Sequence, residues 1–220
     1  MVMINDTPLT PRTKSGFHVS NRIARLMLIN LGDMMGTNGL NAVLKLGGLP
    51  NYELLLPPDN MELEFDFADY GAICSAVADT YGLRGSRVLM MRAGIAFFNS
   101  GIGPFMENYG AGLNFGNKLV PLSLKLPLFL KWIARTYNST SDLIVEVRDG
   151  GDHYLYVNKR CPICWGRHVT APDCYHTLGF LQAATNFISI DSRFQIRQVS
   201  SIGAGDPSCD FMVPKQPVPN

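Results

Sequence analysis

Four of the five cysteines crowd into the last sixty residues. They read Cys161-Pro162-Ile163-Cys164, then Cys174, then Cys209, a C-x2-C-x9-C-x34-C spacing. Two cysteines flanking two residues can grip one ion from a single turn. Four thiolates suit tetrahedral zinc or an iron–sulfur cluster. In a reducing compartment, clustered cysteines point to metal or redox chemistry before disulfides. Two other readings of Cys161 and Cys164 stay open: a thioredoxin-like redox pair, for which no βαβ context precedes them, or two buried thiols. His168 and His176 lie close by in sequence. Each either replaces a metal ligand or is a surface or satisfied core histidine. Cys74 falls on an apolar helical face and is expected in the core.

Other chemistry is sparse. No nucleophile triad, paired-carboxylate site or P-loop emerges. Gly101, Gly103, Gly110, Gly112 and Gly116 enrich one loop, but Gly110-Ala-Gly112-Leu-Asn-Phe-Gly116 misses dinucleotide spacing and no strand precedes it. That loop reads either as the mouth of a pocket or as plain surface. Met90, Met91, Phe97, Phe98, Phe105 and Met106 either line an apolar cavity or pack the core. Arg92 interrupts the same apolar stretch, as an anchor for an acidic ligand group or as a snorkelling or paired cation.

These residues need a scaffold. Residues 1–19 hold Pro8, Pro11 and Gly16 without periodicity and read as a loose arm. Ser20 is a candidate cap for a helix with Ile23, Leu26, Met27, Leu31 and Met34 on one face, running to Leu46. Gly32, Gly36 and Gly39 inside it signal either close helix approach or a break near Gly36. Prolines mark 49–62 as a connector. Asp66 caps a second helix through Tyr81, closed by Gly82, and Ser86 caps a nearly all-apolar third helix to Phe98. A helix over 119–137, kinked at Pro127, carries Lys125, Lys131 and Arg135. It reads as core-facing with solvated lysines, or as a peripheral membrane contact. Asn138-Ser139-Thr140 spells a glycosylation sequon that reads as chance.

The period then changes to two. Leu143, Val145 and Val147 alternate, as do Tyr154, Tyr156 and Asn158, across Asp149-Gly150-Gly151-Asp152, which predicts a β-hairpin. A helix from Pro172 and Asp173 through Phe187 follows. Strands are expected near Phe194–Gln198 and Cys209–Val213, and an extended tail over 214–220. Helices followed by hairpin, helix and hairpin predict one α+β domain over 20–213: N-terminal helices, then a twisted antiparallel sheet with one inserted helix.

Composition sets the outer limits. The 220 residues are 46% hydrophobic and only 17% charged, with 19 basic against 18 acidic residues. That is too apolar for a disordered chain and too neutral for a dedicated nucleic-acid binder. No run of about 18 apolar residues predicts a spanning helix. No basic, apolar leader opens the chain, so a cytoplasmic location is expected.

The stretch from Cys161 to Val213 resembles the 4-vinyl reductase (hydrocarbon-binding) domain family. The matching segments are Cys-Pro-Ile-Cys-Trp-Gly at 161–166, Pro-Asp-Cys at 172–174, Gly179-Phe180-Leu181, and Gly205-Asp206-Pro207-Ser208-Cys209-Asp210-Phe211. The resemblance implies a fold shared with TRAPP subunits and haem–nitric-oxide-binding-like domains, in which helices and sheet enclose an apolar cavity. It also implies dimerisation, and in aromatic-responsive sensors of this kind a structural zinc. There a cysteine at the position of Cys174 is followed by a Glu-x2-Cys-x7-Cys pattern. Here the glutamate position reads Gln198 and the middle cysteine reads Ser201, while Cys209 remains. Neither glutamine nor serine offers an anionic donor, so Cys161 and Cys164 are the candidates for the missing thiolates.

Three functions follow as expectations. The first is a protein binding an apolar small molecule, a hydrocarbon or tetrapyrrole, with a structural metal (zinc, or else an iron–sulfur cluster), serving bacteriochlorophyll biosynthesis or ligand sensing. The second is an assembly subunit docking a homodimer or other protein through a TRAPP-like surface. The third is a 4-vinyl reductase, for which the chain shows no dinucleotide fingerprint; an enzyme acting by itself is the weaker expectation.

Overall fold

A computed structural model describes residues 13–102, 120–189 and 192–219. Its order is β1 (His18–Ser20), α1 (Asn21–Leu46), α2 (Asn51–Leu54), β2 (Leu63–Asp66), α3 (Phe67–Phe97), α4 (Leu122–Thr140), β3 (Ile144–Asp149), β4 (His153–Arg160), α5 (Tyr175–Ser189), β5 (Ser192–Arg193), β6 (Arg197–Gln198), β7 (Cys209–Pro214) and β8 (Val218–Pro219). Helices lead and an antiparallel sheet in the order β3-β4-β7-β6 follows, with α5 inserted between β4 and β6. The α+β architecture expected from the sequence is the one observed. None of the described helices is long and apolar enough to cross a membrane.

Periodicity explains the helices. Ala24, Met27, Leu28 and Leu31 place one buried stripe on α1, and Phe67, Tyr70, Ile73, Cys74 and Val77 another on α3. Asp66 caps α3 as expected: its carboxylate accepts from the Ala68 N–H at 2.7 Å and from the N–H groups of Ser15 and Gly16 at 3.0 and 3.3 Å. Ser20 precedes α1 but makes no side-chain cap. Within α3, Gly82 closes the first helical segment as expected: it takes φ 67° and ψ 170°, outside helical geometry, and a second segment follows directly. Gly36 does the same in α1.

Three expectations are corrected. The arm predicted over 1–19 includes strand β1, which pairs with β2 through Val19 and Phe65; the residues before 13 lie outside those described. Lys125 is not solvated: it is buried, and its Nζ donates to the Ile188 carbonyl near the end of α5 at 3.0 Å. The tail is not merely extended, since β8 pairs with β5. The Asn138 amide is already engaged, donating to the Val145 carbonyl and accepting from its N–H, both at 2.8 Å.

The β3–β4 hairpin forms as predicted, with Val147 opposite Tyr156. Along β7, Cys209, Phe211 and Val213 are buried in strict alternation, so the strand that aims Phe211 at the core also aims Cys209 inward. Helix α5 lies directly on α3. A Cβ at Gly94 would overlap the His176 carbonyl, and one at Gly179 the Met91 carbonyl. Two glycines thus let the backbones touch. This contact fixes the N-terminus of α5, and with it Cys174, against the rest of the core.

Candidate metal centre

The four clustered cysteines meet in space although Cys161 and Cys209 lie 48 positions apart in sequence. Their sulfurs all lie within 4.8 Å of one another, and all four residues are buried. Cys164 Sγ stands 3.3 Å from that of Cys174 and 3.4 Å from that of Cys209. Cys174 is 3.9 Å from Cys161 and 3.8 Å from Cys209. A zinc–sulfur bond of about 2.3 Å gives tetrahedral sulfurs about 3.8 Å apart. The cluster therefore has the dimensions of one four-coordinate ion, and it could hold a metal.

Each sulfur arrives by a local device. Cys161 and Cys164 flank a turn after β4, closed by Trp165 N–H donating to the Pro162 carbonyl (3.3 Å) and Arg167 N–H to the Cys164 carbonyl (3.1 Å). Helix α3 presses on this turn: a Cβ at Gly71 would overlap the Trp165 carbonyl. Arg167 fastens the loop by donating to the Ile163 carbonyl at 3.1 Å and to Asp173 Oδ2 at 2.5 Å. Cys174 immediately precedes α5; Cys161 lowers its thiol, but sharing with Cys164 and Cys209 together with burial pushes it well above the ordinary range. Cys209 opens β7, and the Ile202 N–H points at its sulfur at 3.3 Å. Asp206 shapes that approach by accepting from the Ser201 N–H at 2.8 Å. The Gly-Asp-Pro-Ser-Cys segment thus forms the loop that delivers the fourth sulfur.

Gln198 and Ser201, which break the sensor-type ligand pattern, lie beside the centre. The Gln198 Oε1 accepts from the Cys174 N–H at 2.8 Å, and the Ser201 hydroxyl is 3.4 Å from Cys164 Sγ. Gln198 thus holds the Cys174 backbone, and Ser201 hydrogen-bonds to Cys164. The hydrogen bonds from Cys161, Cys174 and Cys209 hold the Cys164 thiol far below its ordinary range, while the same sharing pushes Cys161 well above it. Cys74, by contrast, is pushed up to about 12 by burial and stays a thiol in the core.

The neighbouring cavity is small. About 30 Å³ is enclosed by Tyr70, Phe97, Tyr137, Tyr156, His176 and Phe180, with Pro162 and Ile163 of the cysteine turn forming part of the wall. Burial lowers the pKa of His176 to about 4 and leaves a neutral ring, edge-on to Phe97 and Tyr70. Its Nε2 has no partner among the described residues. Sequence reading did not single out the three tyrosines or give His176 this place; the signal available was its position two residues after Cys174.

The residues expected to line an apolar cavity scatter. Phe97 does line the core cavity. Met90 lines a separate surface cleft. Phe98 is buried against Phe180 and Phe187. Met91 is half-buried, its carbonyl against Gly179. Arg92 is exposed on α3 and lines neither space. Phe105, Met106 and most of the glycine-rich loop lie outside the described residues. His168 is exposed and is not among the clustered ligands.

No family model matches the chain, and no curated protein matches it in sequence. Solved H-NOX structures share its fold. The Fe(II) unliganded H-NOX protein from K. algicida gives a TM-score of 0.56 at 12% identity, covering 91% of this chain and 97% of that one. A doubly substituted Tt H-NOX gives 0.55 at 17% identity with the same coverages. The S. oneidensis protein in its Fe(II)NO ligation state gives 0.50 at 13% identity, covering 86% and 97%. The chain therefore has an H-NOX-like fold along nearly its whole length.

A haem, the group that the name of this fold implies, does not fit the described residues. The cavity of about 30 Å³ has room for a water or two. The backbone contact of α3 and α5 at Gly94 and Gly179 leaves no slot for a macrocycle between them.

Proposed function

We propose that this chain is a small-molecule-binding module of H-NOX-like fold whose C-terminal half is locked by a structural zinc on Cys161, Cys164, Cys174 and Cys209. The observation that carries the reading is the meeting of four buried sulfurs within 4.8 Å of one another. Four thiolates leave no open coordination position, so the role of the ion is to hold structure. The sulfurs enclose the space of one ion, which favours zinc over a cluster whose several irons and bridging sulfides would need more room. The resemblance to the 4-vinyl reductase domain fits this reading, because three of the segments that carry it, 161–166, 172–174 and 205–211, supply the four sulfurs.

The binding role rests on the aromatic cavity beside the metal turn, with an unpartnered imidazole nitrogen in its wall. Its volume suits a ligand far smaller than a tetrapyrrole. The experiment is metal analysis of freshly purified protein with X-ray absorption at the zinc edge. One zinc per chain and four sulfur neighbours near 2.3 Å are expected. Metal-free folded protein, or a shell containing nitrogen or oxygen, refutes the reading.

A further inference from the structure

Beside the metal loop, on the side of α3 that carries Cys74, lies a surface cleft of about 270 Å³. Its walls are mixed: Leu83 and Met90 from α3 face Val169 and Tyr175, while Ser86, Arg167, His168 and Thr170 add polar lining. That is close to the lower bound of about 300 Å³ for ligand sites, and such sites pair apolar walls with a few placed polar groups. Two polar groups stand out here. Asp173 gives one carboxylate oxygen to Arg167, while its Oδ1 is buried without a partner among the described residues. A buried acceptor left unmatched costs about 1–3 kcal/mol, so this oxygen calls for a donor. Arg87 is exposed, its guanidinium 5.3 Å from the centre of the Tyr175 ring. Its charge already acts on the Asp173 carboxylate, but it makes no hydrogen bond to another described residue, so its N–H groups can still take a ligand anion.

We propose that this cleft binds a small organic acid whose apolar body carries an O–H or N–H donor. The donor satisfies Asp173 Oδ1, the carboxylate pairs with Arg87, and the body packs between Met90 and Val169. A hydroxy acid and an amino acid with apolar side chains present the same three features. The cleft is distinct from the core cavity, and its chemistry does not depend on which ion the cysteines hold.

The test titrates the full-length protein as purified with mandelate, 2-hydroxy-4-methylpentanoate and phenylalanine by calorimetry. Phenylacetate, which lacks the donor, is run beside mandelate. At least one of the three probes is expected to bind at submillimolar concentration, and phenylacetate to bind about tenfold more weakly than mandelate or worse. Arg87→Gln should weaken binding by about tenfold or more. Leu83→Trp, at an exposed position on the cleft wall, should block binding while circular dichroism and metal content stay unchanged. No binding of any probe at millimolar concentration overturns the proposal. So does binding that neither substitution alters, or equal binding of mandelate and phenylacetate. Metal content of the same samples separates the two readings: Arg87-dependent binding to folded, metal-free protein upholds the cleft and removes the zinc.

Discussion

Binding of the metal should release protons in a number set by the cluster itself. A zinc thiolate centre forms only from deprotonated sulfurs. Ordinary thiols titrate near 8.5. In the metal-free fold the hydrogen bonds from the other three cysteines already favour Cys164 as a thiolate. Three protons therefore remain to be displaced, and each unit fall in pH below about 8 should cut zinc affinity by about a thousandfold, up to about ten-thousandfold if all four must leave. Worked as linkage, the ligand pKa values in the metal-bound fold lie below those of the unfolded chain. The stability they supply is present at high pH and is lost as the pH falls. The assay is competition with a chromophoric chelator between pH 6 and 8, with proton release followed in weakly buffered solution. Cys164→Ser should remove most of the affinity, because it deletes the sulfur nearest to Cys174 and Cys209. An affinity independent of pH, or release of one proton or none, would falsify the four-thiolate assignment.

Three further outcomes follow from the fold. Gly179→Ala forces a Cβ into the Met91 carbonyl and should cost about 3 kcal/mol, lowering Tm by roughly 6–12 °C in thermal unfolding; a change under a degree would mean that the helices do not touch. Asp66→Ala removes the cap of α3 and should cost about 1–2 kcal/mol at neutral pH. The backbone N–H groups of Ser15, Ala68 and Gly16 outweigh burial and hold the Asp66 carboxyl below its ordinary value. Its contribution is therefore present above about pH 4 and fades as the pH falls further, so the gap between wild type and variant should close in acid. His176, lowered from 6.5 to about 4 by burial, refuses a proton that the unfolded chain accepts. The wild type should lose about 3 kcal/mol between those pH values beyond what His176→Phe loses, as measured by urea unfolding at each pH; parallel losses would place the imidazole in water.

The parts legible in the sequence were those written by local rules. The two-residue alternation of 143–158 gave the hairpin, the helical stripes gave α1 and α3, and Asp66 gave a cap. The cysteine spacing singled out the four residues whose sulfurs meet in space, because a C-x2-C turn brings two sulfurs to one side of the chain. Tertiary contact decided the rest. Lys125 looked like a solvated charge and instead reaches the end of α5, a partner 63 residues away. Arg92, on the most apolar helix, could be read as a ligand anchor or as a snorkelling cation, and its exposure on α3 agrees with the second. The aromatic stretch at 97–98 could not reveal its partners, because Phe180 and Phe187 come from α5.

One short segment ties the metal centre to the core cavity and the surface cleft. Pro162 and Ile163, between the first two cysteines, wall the core cavity, and Ile163 also lines the surface cleft. The loop from Arg167 to Asp173 that forms one side of the cleft is held between Cys164 and Cys174. An ion bound to those sulfurs fixes both ends of that loop and the shared wall at once. Without it, the loop is held by the Arg167–Asp173 pair and by the Arg167 and Val169 N–H groups, which donate to the Cys164 and Gly203 carbonyls. Exposed ion pairs are weak, but this one is largely buried and should keep the loop near its place. Metal removal should therefore loosen the cleft before it unfolds the helices. Hydrogen exchange should show it as faster exchange at the Arg167 and Val169 amides, with α1 and the first half of α3 still protected.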